Sequence, residues 1–295
     1  MLLPENTLVK TPNELVKGYS AIMKRIKIFD GKEIDKIGFG TWTIGGLTQP
    51  AQEHDEQGLK ILQSAIKIGY RHLDTAEYYA RGHSEELVGQ AVRESGIARE
   101  EFFITTKVHP GNLGYKPTIR AFERSLDYLG MDYVDLYLIH WPRRNMPLDS
   151  TFRAFNELVK QKRIRYVGVS NFSVEEMMQA QEYSDVPLLT NQVPLSVGDH
   201  EYLENGVLNF CQQNNILLTA YSPVKDIRGN HLEVLREIGE IHQVTPYQIA
   251  LAWLVNQPGV ITIPYSQDER HQADNFAAGE IELTENQMEQ IAKLV

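Results

Sequence analysis

A single cysteine, Cys211, stands among 295 residues. No intrachain disulfide can form, which fits a reducing compartment, and a cytoplasmic protein is expected. Apolar runs of about 18 residues are missing, so no membrane span is expected. Positive charge is in deficit, with 29 Lys and Arg against 39 Asp and Glu and a formal net charge of −10. That argues against nucleic acid as the main partner, but leaves room for a local basic pocket facing a phosphorylated small molecule. Residues 1–10 lack a basic start, and Pro4, Glu5 and Asn6 interrupt their apolar residues, so they do not read as a secretory leader. A complete dinucleotide fingerprint is wanting too. Gly38-Phe39-Gly40 is followed by Thr43 where the third glycine would stand, which speaks against an open doubly wound cofactor fold. No low-complexity tract or linker breaks the chain, and no metal is expected.

What remains is an alternation. Residues 1–23 read as an extension: Thr11-Pro12-Asn13-Glu14 is a capping-box pattern, and Leu15, Val16, Tyr19 and Ile22 recur at helical spacing, which predicts a short helix near 12–22. Residues 26–34 read as a hairpin with Asp30-Gly31 as its two-residue turn. Apolar runs then alternate with amphipathic helical stretches. Strands are expected at 37–42, 70–74, 102–106, 134–139, 164–169, 188–192, 216–220 and 260–263. Ser84 reads as the N-cap of the second intervening helix, and Ser173-Val-Glu-Glu176 as a capping box. One helix is expected over 201–213 and a last one over 285–294. Eight strand-then-helix units with near-continuously apolar strands predict an α/β fold: a (β/α)8 TIM barrel over 24–295, with an N-terminal β-hairpin and extra helices.

In such a barrel the C-terminal strand ends form the active face. Asp74, Lys107 and His140 close three consecutive apolar runs at intervals of 33 residues, and Tyr79 follows Asp74 by five. Taken singly, each has a plainer account: an N-cap, a loop aromatic, a solvated strand end, a structural histidine. Lys107 resists it most, because a lysine directly after Phe102-Phe-Ile-Thr-Thr106 must be partly desolvated unless paired. Placed together, Asp74 holds Lys107 charged, and the ammonium is expected to lower the proton affinity of the Tyr79 phenol. His140 faces the substrate oxygen or the phenol. Such a phenol donates a proton to a developing alkoxide, and the matching hydride has to come from a cofactor.

These stretches resemble the aldo-keto reductase family. The likeness runs over residues 25–295 in the family's order: Ile37-Gly-Phe-Gly-Thr-Trp42, Gly69-Tyr-Arg-His-Leu-Asp-Thr-Ala-Glu-Tyr-Tyr79, Ile104-Thr-Thr-Lys107, Leu138-Ile-His-Trp-Pro142, Val167-Gly-Val-Ser-Asn-Phe172, Asn191-Gln192, Thr219-Ala-Tyr-Ser-Pro223 and Ile263-Pro264. The resemblance implies a catalytic tetrad of Asp74, Tyr79, Lys107 and His140 with Tyr79 as general acid, and an NAD(P)H-dependent reduction of aldehydes and ketones. It implies that Ser170, Asn171 and Gln192 hold the nicotinamide carboxamide and that Tyr221 stacks on the ring. Ser222, Pro223 and Val224 would pass over the pyrophosphate. At the adenosine phosphate, Ser266, Arg270 and His271 would bind, with Asp274 and Asn275 on the adenine side.

Tyr265 stands where many members carry a lysine, and His271 where many carry an arginine, so NADP(H) is the first expectation and NAD(H) the second. The chain stops with the last expected helix. That implies an open substrate pocket lined by Trp42, Tyr78, Trp141 and Val224, with broad acceptance of small carbonyl compounds. Steroid double-bond reduction is disfavoured by His140. The alternative is a cofactor-sensing regulatory subunit with slow chemistry, docked through residues 1–23. Oligomeric state and physiological substrate stay open.

Overall fold

The computed structural model describes residues 24–295. The extension 1–23 and the helix expected within it lie outside the described residues. From Lys24 the chain forms an antiparallel hairpin of β1 (Arg25–Lys27) and β2 (Glu33–Asp35), with Ile26 opposite Ile34. Its turn is one residue longer than the Asp30-Gly31 pair suggested. The Ile28 N–H donates to the Lys32 carbonyl, and the Ile28 carbonyl accepts from the Gly31 N–H. Phe29, Asp30 and Gly31 are therefore all in the loop, with Gly31 at φ +89° in the left-handed position that ends a three-residue turn. The Asp30 carboxylate accepts from the Lys32 N–H and from the Tyr166 hydroxyl, which ties the loop to the barrel floor.

Eight parallel strands follow, with helices between them. They run β3 (Phe39–Gly40), α1 (Asp55–Ile68), β4 (His72–Asp74), α2 (His83–Glu94), β5 (Phe103–Val108), α3 (Tyr115–Leu129), β6 (Val134–Ile139) and α4 (Leu148–Lys160). The second half runs β7 (Ile164–Ser170), α5 (Val174–Tyr183), β8 (Leu188–Pro194), α6 (Glu201–Glu204), α7 (Val207–Gln213), β9 (Leu217–Tyr221), α8 (Asn230–His242), α9 (Pro246–Asn256), β10 (Val260–Thr262), α10 (Glu269–Ala277) and α11 (Glu285–Ala292). Each strand pairs with its sequence neighbour. The two ends then meet: the Gly38 N–H donates to the Thr262 carbonyl and the Gly40 N–H to the Pro264 carbonyl. A Cβ on Gly40 would sit 2.8 Å from the Ile263 carbonyl oxygen, so the closure needs glycine there. The result is the expected (β/α)8 barrel.

Successive strand side chains point to opposite faces, and the barrel uses both. Phe103, Leu136, Leu138, Tyr166, Leu189, Leu217 and Ile261 fill the interior, and Ile28 and Ile34 of the hairpin plug it from below. Ile104, Val108, Tyr137 and Ile139 belong to the larger core between strands and helices. Lys107 therefore shares the inward parity of Phe103 and Thr105 and stands at the top of the barrel's interior.

Three local expectations fail for physical reasons. The first strand is only Phe39–Gly40 plus a bridge from Ile37 to Thr262, because its start is spent on the closure. The helix expected over 201–213 breaks at Gly206, φ +84°, into α6 and α7. Ser84 is not an N-cap: α2 starts one residue earlier, after Gly82, and the buried Ser84 hydroxyl bonds to Thr41 and Thr75. The capping box at Ser173 and Glu176 forms as read. Among the described residues no helix is long and apolar enough to cross a membrane.

Candidate active site

Asp74 ends β4, Lys107 is the penultimate residue of β5, and His140 follows β6 directly. The barrel's inward parity brings the first two together. The Lys107 Nζ donates to Asp74 Oδ1 at 2.5 Å, to the Thr75 carbonyl at 2.9 Å and to the Tyr79 hydroxyl at 3.2 Å. Lys107 is fully buried and all three of its protons have acceptors. Burial alone would push its ammonium towards neutrality, but Asp74 and Tyr79 outweigh burial and hold its pKa above the ordinary lysine value. Gln192, from β8 across the barrel, donates to Asp74 Oδ2 at 2.8 Å, so both carboxylate oxygens are engaged.

Tyr79 differs from the expectation. Burial pushes its phenol above the ordinary tyrosine value, and the opposing Lys107 charge does not bring it back. The phenol holds its proton firmly, as an acid in the reductive direction must until the transition state develops. His140 is pushed down to about 2 by burial, with Lys107 and His109 adding to the effect. Its imidazole is neutral at every physiological pH, 5.5 Å ring to ring from Tyr79.

These groups open into a cavity of about 480 Å³. Trp42, Tyr78, Trp141 and Val224 line its outer part, with Trp42 40% and Val224 37% exposed at the mouth. Ser170, Asn171, Gln192, Tyr221, Ser222 and Pro223 line another wall. There the Tyr221 hydroxyl donates to Asn171 Oδ1 at 2.9 Å, the Asn171 amide donates to Ser170 Oγ, and Ser170 donates to the Gln192 carbonyl. Asn171 and Ser222 take positive φ, 62° and 51°, a local strain concentrated at this wall. Hydroxyl and amide groups beside an aromatic face match a planar carboxamide-bearing ring. The cavity continues past Ile263 and Pro264 to Tyr265 and Asn275. Ser266, Arg270, His271 and Asp274 lie beyond it. Arg270 and His271 are exposed on α10, whose N-cap is Asp268, accepting from the His271 N–H. The structure thus gathers Asp74, Tyr79, His140 and the ring-side residues around one cavity, with Lys107 fully buried behind Asp74 and Tyr79, and leaves Ser266, Arg270 and His271 outside it.

Several contributors escaped the sequence reading. Glu77 accepts from the His109 N–H at 2.5 Å and from the Asn112 amide, and His109 stacks on Tyr78 with ring centroids 5.2 Å apart. The available signal was their place within two or three residues of Lys107 and Asp74 in the same loops. Glu85 is another. It is fully buried on α2, with one oxygen accepting from Thr106 at 2.6 Å and the other without a hydrogen-bond partner. Burial raises its pKa to about 7, with the Thr106 hydrogen bond opposing the shift. A carboxyl raised above its unfolded value stabilises the fold most below that value, and the contribution fades as pH rises through about 7. Thermal melts from pH 5 to 9 should show the wild type losing Tm relative to Glu85→Gln, whose amide mimics the protonated acid. Parallel curves would remove Glu85 as the titrating group.

The residues from 36 to 295 match the sequence profile of the Aldo/keto reductase family. The chain is 37% identical over 275 residues to a 9,11-endoperoxide prostaglandin H2 reductase of Trypanosoma cruzi, covering 91% of this chain and 90% of that one. It is 36% identical over 276 residues to a glyoxal reductase of Bacillus subtilis, covering 93% and 94%. An aldo/keto reductase from Klebsiella pneumoniae, solved in complex with NADP and acetate, superposes with a TM-score of 0.81 at 33% identity, covering 92% of this chain and 95% of that one. With the profile spanning nearly all of the described barrel, the chain belongs to the aldo/keto reductase family.

Proposed function

We propose that this protein reduces aldehydes and ketones to alcohols with NADP(H) as its preferred cofactor and NAD(H) as a weaker one. The observation that carries the reading is the buried Asp74–Lys107–Tyr79 chain, which presents a protonated phenol to a cavity with an apolar mouth. A nicotinamide cofactor, when bound, supplies the hydride. Ser170, Asn171 and Gln192 would hold its carboxamide and Tyr221 would support its ring, because their polar groups and aromatic face line one wall of the same cavity. The Klebsiella relative crystallised with NADP and the glyoxal reductase agree with that class of reaction.

Tyr79 gives its proton to the carbonyl oxygen as charge builds there. Lys107 stabilises the phenolate left behind, and Asp74, fixed by Gln192, keeps Lys107 in place. His140 acts as a neutral imidazole that orients the same oxygen. Trp42, Tyr78 and Trp141 pack the substrate body and exclude water from the reacting atoms. At the far end Ser266, Arg270 and His271 would take the adenosine phosphate, with Asp274 and Asn275 beside the adenine.

Steady-state oxidation of NADPH and of NADH over short aldehydes, aromatic aldehydes and ketones tests the reading. Turnover with the first cofactor exceeding the second is expected. Arg270→Ala should narrow the ratio about tenfold, the weight of one charge-assisted hydrogen bond. No turnover with either cofactor would refute the function, and a ratio untouched in Arg270→Ala would move the phosphate contact elsewhere.

A further inference from the structure

The Lys107 ammonium is held by Asp74 and the Thr75 carbonyl as well as by Tyr79. Its own place is therefore overdetermined, and the looser partner is the phenol. Tyr79 rides on the loop between β4 and α2. That loop runs through Ala80 and Arg81 in left-handed conformations, φ 47° and 56°, which few non-glycine residues adopt without support. Something has to fasten this segment to the lysine's strand.

Glu77 does so in two ways. Its backbone N–H donates to the Lys107 carbonyl at 3.3 Å. Its carboxylate reaches the next loop, where Oε1 accepts from the His109 N–H at 2.5 Å and from the Asn112 amide at 3.0 Å. Oε2 accepts from Asn112 at 3.2 Å and from Arg124 on α3 at 3.3 Å. Among the described residues it is the side chain through which the 76–80 loop hydrogen-bonds to the loop after β5. The clamp also sets the aromatic wall, since Tyr78 beside it stacks on His109.

We propose that Glu77 is a positioning residue that holds the Tyr79 phenol against Lys107. The proposal rests on the carbonyl-reduction reading for its consequence in turnover, but the geometry it asserts can be read without turnover. The charged groups that face the phenol are Lys107, which favours the phenolate, and Asp74, which opposes it. A phenol that drifts from Lys107 loses the favourable charge, so its titration moves to higher pH.

The experiment is a phenolate absorbance titration of the full chain as wild type, Glu77→Ala, Glu77→Gln and Asn112→Ala. The signal of Tyr79 is isolated in each background by difference against the same protein carrying Tyr79→Phe. Glu77→Ala should shift that titration upward and cut turnover about 10- to 100-fold with little change in KM, the cost of displacing a reacting group by around an ångström. Glu77→Gln keeps an acceptor for the His109 N–H and should restore most of both. Asn112→Ala removes one donor from the other side and should shift the titration in the same direction by less; it serves if the alanine variant at 77 does not fold. An unmoved titration, or a shift that glutamine fails to reverse, overturns the proposal. A wild type without carbonyl turnover would overturn the functional reading alone, because the titration would still report on Glu77.

Discussion

Tyr79→Phe should lower carbonyl reduction by about 10²- to 10⁴-fold, the span that one positioned proton donor contributes. The substitution is confined to a single atom. The ring keeps its edge contact with Trp42 at 4.8 Å and with His140 at 5.5 Å. Lys107 keeps Asp74 and the Thr75 carbonyl, so it loses one acceptor of three, about 1 kcal/mol of a large fold. Cofactor affinity, measured by fluorescence titration, should stay near wild type because Ser170, Asn171 and Gln192 are untouched. Turnover equal to wild type would remove Tyr79 as the acid. The wild-type pH profile gives a second check. The phenol must be protonated for reduction, and burial holds its pKa above the ordinary value, so activity should persist until well into alkaline pH. His140 is neutral above about pH 2 and should leave no break between pH 5 and 8.

Three of the residues proposed to react are legible because each ends an apolar run, and a barrel converts strand ends into neighbours. The equal spacing of Asp74, Lys107 and His140 carried that information in one dimension. What the sequence could not carry was contact across the closed barrel. Gln192 lies 118 residues from Asp74 and still completes its carboxylate. Desolvation was equally hidden. The Lys107 charge alone would lower the pKa of the Tyr79 phenol, whereas burial reverses the direction. Near α10 the basic side chains Arg270 and His271 stand out in the sequence, whereas the cap residue Asp268 beside them carries no such signal, although it decides where that helix begins. At the hairpin, Asp30-Gly31 named the turn correctly but not its length, because a bond from Tyr166 136 residues away fixes the Asp30 carboxylate.

The opposite end of the barrel predicts a loss of a different kind. Asp135, on β6, is fully buried and accepts from Arg165 at 2.7 Å, Arg99 at 2.8 Å, Lys32 of the hairpin at 3.3 Å and the Ile104 N–H at 3.0 Å. The two guanidiniums also sandwich Tyr133, each 4.2 Å from its ring centroid. One carboxylate therefore fastens the hairpin plug, the turn before β5 and the start of β7 to the floor. Asp135→Asn keeps the shape and removes the charge, leaving three cations facing one another. Their side chains are 17 to 35% exposed and can turn partly to water, which sets the cost near the lower end for a broken buried pair, about 3 kcal/mol. A domain of this size should then melt roughly 5–10 °C lower. At a temperature where both proteins are folded, kcat and KM should match wild type, since none of these groups lines the active cavity. An unchanged Tm would show that the network contributes nothing to stability. A fall in kcat without a fall in Tm would mean that floor and mouth are coupled through the interior column that runs from Phe103 past Thr105 to Lys107.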